Sequence, residues 1–112
     1  MDEFKILQNK LIAFRNAREW KQFHSAKNLA TSVVIESAEL LECFQWLRDD
    51  DINTINKIHV AEEMSDVLNY LLLLAEILDI NLFESALKKI EKNGEKYPVE
   101  KSKGTSAKYN KI

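Results

Sequence analysis

The chain has 112 residues, 46% of them apolar and 30% charged, with a formal net charge of −2. That length allows one modest domain, and the near-neutral charge gives no reason to expect a nucleic-acid polymer or an anionic membrane as the main partner. Only two glycines and one proline occur, too few turn formers for a set of strands and tight hairpins, so the expected class is all-α.

A first helix is expected over 2–17, where Phe4, Leu7, Leu11 and Phe14 recur at three- and four-residue steps. An aromatic-rich connection, 18–25, carries Trp20, Phe23 and His24. Ser25 is a good N-cap type for a second helix reaching about Leu47, with an apolar stripe of Leu29, Val33, Leu40, Phe44 and Leu47. The run Asp49, Asp50, Asp51 breaks the pattern, and acidic residues suit the start of a third helix over 52–78. The first half of that helix is amphipathic. Its second half, Val67 to Ala75, is apolar nearly all round and is expected to be buried on every side, at a bundle centre or between subunits. The longest apolar stretch, Val67 to Leu78, is too short, and too interrupted by Asn69 and Glu76, to cross a bilayer. Asn81 followed by Glu84 resembles a capping box opening a fourth helix to about Glu95, and Pro98 stops it.

These elements predict an antiparallel four-helix bundle over residues 1–98 and a polar, lysine-rich tail over 99–112. The apolar third helix favours assembly as a homodimer or a dimer-of-dimers tetramer. The single cysteine, Cys43, cannot form an intramolecular disulfide, and residues 1–10 alternate charged and apolar side chains unlike a signal peptide. The expected location is therefore cytoplasmic.

Glu36 and Glu39 stand three apart on the second helix, and Glu63 and Asp66 three apart on the third, so each pair shares a helix face. Such pairs are common on solvated faces. Here, though, Asn28 to Leu47 holds three acids and no Lys or Arg, and Ile58 to Leu87 holds six acids and no Lys or Arg. A solvated helix usually interleaves both signs. Four converging carboxylates would repel unless cations neutralised them, and hard oxygen ligands select Mg²⁺, with Mn²⁺ as a substitute. A di-iron bundle would add a histidine three residues after a glutamate, and neither His24 nor His59 stands there. Glu42 and Glu62 are outer candidates or face water.

The motif Glu36-Ser37-Ala38-Glu39, a gap, then Glu63-Met64-Ser65-Asp66 resembles the paired ExxE and ExxD signature of the MazG-like all-α nucleoside triphosphate pyrophosphohydrolases. Arg18 to His24 (REWKQFH), Asn28-Leu29, Phe44-Gln45-Trp46 and Lys96-Tyr97-Pro98 are similar to the dCTP pyrophosphatase branch of that superfamily. The resemblance implies that Glu36, Glu39, Glu63 and Asp66 bind Mg²⁺ and that water attacks the α-phosphorus of a nucleoside triphosphate, dCTP or a modified dCTP, with pyrophosphate leaving. Such an activity would sanitise the nucleotide pool. Glu39 and Glu63 are the expected catalytic residues, with Glu39 positioning the water.

In that branch Trp20 and Trp46 would form the base pocket, with Phe23, His24 and Asn28 shaping it. Tyr70, four residues after Asp66, would lie against the sugar. The chain after Leu87 carries eight lysines and three glutamates; Asn93 and Lys96 are the candidates to meet the outer phosphates, with Lys108 a further one. Two other readings fit the same residues. One is a non-catalytic helical interaction module anchored by the tryptophans. The other is a phosphoribosyl-ATP pyrophosphatase-like enzyme.

Overall fold

The computed structural model describes residues 2–112, and every regular element among them is helical. The all-α class expected from the sequence is what forms. Helix α1 spans Glu3–Ala17, α2 Ala26–Glu42, α3 Lys57–Ile77, α4 Leu82–Lys96 and the short α5 Val99–Ser102. Single 3₁₀ segments cover Lys21–Phe23, Asp49–Thr54 and Tyr109–Lys111. The chain divides into two compact units, one ending at Ile80 and the other running from Asn81 to Ile112. No helix among the described residues is long and apolar enough to cross a membrane.

Each long helix starts where a short polar side chain can accept a free backbone N–H. Asp2 accepts from Lys5 N at 2.8 Å, Ser25 from Asn28 N at 3.1 Å, Asn56 from His59 N at 3.2 Å and Asn81 from Glu84 N at 3.1 Å. The caps expected at Ser25 and Asn81 are thus in place. The Glu84 carboxylate does not turn back to complete a capping box; it takes Lys88 Nζ at 2.8 Å, one turn along the helix.

Two boundaries differ from the sequence reading. Helix α2 stops at Glu42 rather than near Leu47, and α3 opens at Lys57 rather than Ile52. Past Glu42 the backbone bonds tighten to the 3₁₀ pattern, Cys43 N to Leu40 O and Phe44 N to Leu41 O. The aspartate run then competes for backbone groups. Arg48 N donates to Asp51 Oδ2 at 3.4 Å and Thr54 Oγ1 donates to Asp51 O at 2.7 Å, so the segment closes on itself instead of joining α3.

In the first unit α3 is central and packs on both α2 and α1. Leu29 of α2 and Leu72, Leu73 and Ala75 of α3 are the buried apolar core. Of the run expected to be buried on every side, Val67 to Ala75, these three α3 residues are enclosed and the other six are only half-buried. Helix α1 is pinned to α3 at two levels, by Gln8 Nε2 donating to Leu72 O at 3.0 Å and by Arg15 Nη1 donating to Glu76 Oε2 at 2.8 Å. The buried member of α1 is therefore Arg15, 2% exposed, while Phe14 is half exposed. Burying a guanidinium is tolerable because Glu76 pairs it and Asn16 Oδ1 accepts from its Nε at 3.0 Å.

Both α1 and α3 end with a left-handed residue that is not glycine. Glu19 has φ 55° and Asp79 φ 54°. Behind Glu19, Trp20 N reaches Arg15 O and Glu19 N reaches Asn16 O, both at 3.1 Å, which closes the helix in a Schellman pattern and fixes where Trp20 leaves it. Removing the partner of the buried guanidinium should loosen this corner. Glu76→Ala is expected to cost about 3 kcal/mol, read as a lowered urea midpoint with an unchanged slope. A variant as stable as the parent would show that Arg15 finds its compensation elsewhere.

Candidate functional site

The packing of α2 on α3 sets carboxylates against one another. One oxygen from each of Glu36, Glu39 and Glu63 lies within 4.8 Å of the others. Asp66 stands outside that set, yet its charge acts on both Glu36 and Glu63. No Lys or Arg salt bridge is made to any of the four among the described residues. Among the described residues the one basic side chain paired with the cluster is His59, whose Nε2 is 3.9 Å from Glu63 Oε1 one turn earlier on α3. The sequence reading set His59 aside because no glutamate stands three residues before it; the i, i+4 step to Glu63 was the signal it overlooked.

The electrostatics follow from this crowding. Lost hydration raises the Glu36 carboxyl to about 7, helped by a proton-sharing contact with Glu39 and by the charges of Glu39, Asp66 and Glu63. Glu63 is also raised, first by lost hydration and then by Glu39, with His59 opposing. The Oε2 atoms of Glu36 and Glu63 are buried and make no hydrogen bond. Unpaired buried carboxylate oxygens are costly. Oxygen donors with free lone pairs, drawn together without a basic partner, fit a hard divalent cation.

Beside the cluster is a cleft of about 360 Å³, within the first unit. Its walls come from α1 (Leu7, Leu11, Phe14), from Trp20 and His24 in the connection, and from Asp66, Asn69 and Tyr70 on α3. Trp20 meets Phe14 edge to face, with ring centroids 5.8 Å apart at 74°, and Arg18 covers the Phe14 ring at 3.5 Å. Burial, and then the Arg15 charge, lower the His24 pKa, so its imidazole is neutral near pH 7; its Nδ1 is buried without a partner.

The structure gathers some of the residues singled out from sequence and separates others. Trp20, His24, Asp66 and Tyr70 share the cleft. Phe23 is exposed on the 3₁₀ turn, and Asn28 Nδ2 donates to Phe23 O at 3.1 Å, tying that turn to the start of α2. Trp46 is 87% exposed after the end of α2 and lines no part of the cleft. Asn93 and Lys96 belong to the second unit. There Lys96 Nζ lies 5.1 Å and Lys108 Nζ 5.9 Å from the Tyr109 ring centroid, with Tyr97 edge-on to the same ring at 6.1 Å. The sequence reading did not single out Arg15 or Asn69, because a lone polar residue within an apolar helical stripe gives no sign of the cavity it faces.

The MazG-like family model matches residues 31–112, which include the carboxylates and Tyr70. The chain belongs to the MazG-like family. It is 37% identical over 101 residues to dCTP pyrophosphatase 1 of Mus musculus, covering 86% of this chain and 59% of the mouse protein. It is 35% identical over 104 residues to dCTP pyrophosphatase 1 of Homo sapiens, covering 88% and 61%. This MazG-like chain thus spans about three-fifths of the length of the curated relatives it matches. The solved structure of a pyrophosphatase from Archaeoglobus fulgidus DSM 4304 superposes with a TM-score of 0.83 at 44% identity, covering 88% of this chain and 94% of that one.

A carboxyl raised in the folded state from 4.5 to about 7 holds its proton more firmly folded than unfolded. Its contribution is fully present below pH 4.5 and lost as pH rises through 7. In EDTA the melting temperature should therefore fall between pH 5 and pH 7.5, and Glu36→Gln should flatten that fall. Identical pH profiles for parent and variant would show that Glu36 is not under this strain.

Proposed function

We propose that the chain is a Mg²⁺-dependent nucleoside triphosphate pyrophosphohydrolase, acting in the cytoplasm on dCTP or a modified dCTP and releasing the monophosphate and pyrophosphate. The observation that carries this reading is Asp66. Its charge belongs to the carboxylate cluster and its side chain lines the aromatic cleft. A ligand stacked in the cleft would thus place its anionic end at the acids only if cations stood between them. The names of the curated relatives and of the solved structure support the same chemistry.

Glu36, Glu39, Glu63 and Asp66 would hold the ions. When bound, divalent cations offset phosphate charge and acidify a water molecule. Glu39, the most exposed of the three clustered glutamates, would orient the attacking water toward the α-phosphorus and take its proton. His59, on the outer side of Glu63, would hold that carboxylate's rotamer. Trp20 and Tyr70 would sandwich the base and sugar, excluding water from that end.

Self-association is part of the proposal. Val34, Ile35, Leu41, Ile58 and Met64 on α2 and α3 are more than half exposed, and a second copy of the chain would cover such side chains. Sedimentation at micromolar concentration should show a dimer or tetramer; a stable monomer would exclude this assembly.

The activity is tested by incubating the protein with Mg²⁺ and each dNTP and separating the products. Monophosphate plus pyrophosphate is expected. Diphosphate plus orthophosphate, or no turnover with any nucleotide, would rule the reaction out. Glu63→Gln should reduce kcat at least a hundredfold, by loss of one ligand charge, while leaving the helical circular dichroism unchanged. Full activity in that variant would exclude Glu63 as an essential ligand.

A further inference from the structure

We infer that Asn69 reads the edge of the substrate's nucleobase and sets the choice between pyrimidines, an inference that rests on the proposed nucleotide chemistry of this cleft. Asn69 sits three residues after Asp66 and beside Tyr70 on α3, and all three line the cleft. It interrupts the most apolar stretch of the chain, Val67 to Ala75. A carboxamide there is a poor helix former and expensive to dehydrate. A structural asparagine recovers that cost through a hydrogen bond within the fold. The caps at Asn56 and Asn81 and the Asn28 bond to Phe23 O are examples. Among the described residues Asn69 makes no such side-chain bond, so its donor and acceptor are left for whatever enters the cleft.

The other cleft groups narrow the ligand class. The Arg15 charge is already met by Glu76 at 2.8 Å. His24 is kept neutral and offers an unpartnered Nδ1. Asp66 carries the sign that would repel a phosphate, and Lys10, at the α1 wall, is the one cation of the cleft without an ion pair among the described residues. Flat rings at Phe14, Trp20 and Tyr70 suit a planar heterocycle. Aromatic walls around a free carboxamide therefore suit a base at this part of the cleft. The amide oxygen can accept from an exocyclic amine while the amide nitrogen donates to the adjacent ring nitrogen, the edge that an amino-pyrimidine presents.

The test measures binding apart from turnover. Intrinsic tryptophan fluorescence, in Mg²⁺, is titrated with dCMP and with dTMP for the parent, Asn69→Leu and Asn69→Asp. The aspartate is nearly the same shape but accepts only, so it loses the ring-nitrogen bond to cytosine and keeps an acceptor for the thymine N3–H. The parent should favour dCMP. Asn69→Leu should weaken dCMP binding roughly ten- to a hundredfold and bring the two affinities together, and Asn69→Asp should move the preference toward dTMP. Both variants should melt within a few degrees of the parent, since no internal bond is lost. If both variants keep the parent's dCMP to dTMP ratio, or if the parent binds neither nucleotide, the inference is overturned. Shifted ratios in a protein that cleaves no triphosphate would sink the proposed reaction alone; pyrophosphate release with unshifted ratios would sink the role of Asn69 alone.

Discussion

The structure turns on three glutamates being held closer together than their charges favour. Glu36, Glu39 and Glu63 are brought within 4.8 Å by the same α2–α3 packing that buries Leu29 against Leu72 and Leu73. The apolar contact and the acidic contact cannot be separated, because both lie on one pair of helices. Hydrophobic burial supplies the drive and the carboxylates oppose it. Glu36 registers the opposition by holding its proton to about 7, and two buried Oε2 atoms go without partners. A cluster of this kind is a cost to the metal-free fold, and a divalent cation is the simplest group that would remove it.

The opposite end of the first unit solves a different charge problem by pairing. Arg15 is enclosed at the junction of α1 and α3, and Glu76 and Asn16 meet its donors. The pair does more than satisfy itself. The Arg15 carbonyl accepts from Trp20 N, Glu19 takes a left-handed backbone, and Phe14 receives the indole edge-on. The aromatic wall of the cleft is thus set by the end of α1. The Arg15 charge also helps keep His24 neutral, which makes that wall uncharged while the neighbouring carboxylates are not. The aromatic wall and the glutamate cluster meet at Asp66, which lines the cleft and whose charge acts on Glu36 and Glu63.

The small core and the large exposed side chains belong to the same account. Four apolar residues are buried, while Val34, Leu41, Ile58 and Trp46 project outward. A chain of 112 residues that spends helical surface on a cleft and on carboxylates has little left with which to enclose itself. The outward apolar faces of α2 and α3 are what a second copy would cover, in keeping with the proposed assembly.

The sequence by itself determined what is local. The caps at Ser25 and Asn81 follow from a polar side chain reaching its own helix start, and the pairing of Glu36 with Glu39 and of Glu63 with Asp66 follows from helical pitch, so both were readable from residue spacing. The all-α class followed from the lack of turn formers. Tertiary structure alone decided which faces meet. It decided that Glu36 lies opposite Glu63, that Arg15 and not Phe14 is the buried residue of α1, that Trp20 lines the cleft while Trp46 stands in solvent, and that the Asp49–Asp51 run keeps α2 and α3 shorter than their apolar stripes suggest. These outcomes depend on contacts between residues tens of positions apart, such as Arg15 with Glu76 and Gln8 with Leu72. Periodicity along one helix carries no information about the partner across the interface, so Trp20, His24 and Tyr70 could be placed at a pocket through the family resemblance alone, and the wall that α1 contributes was not legible.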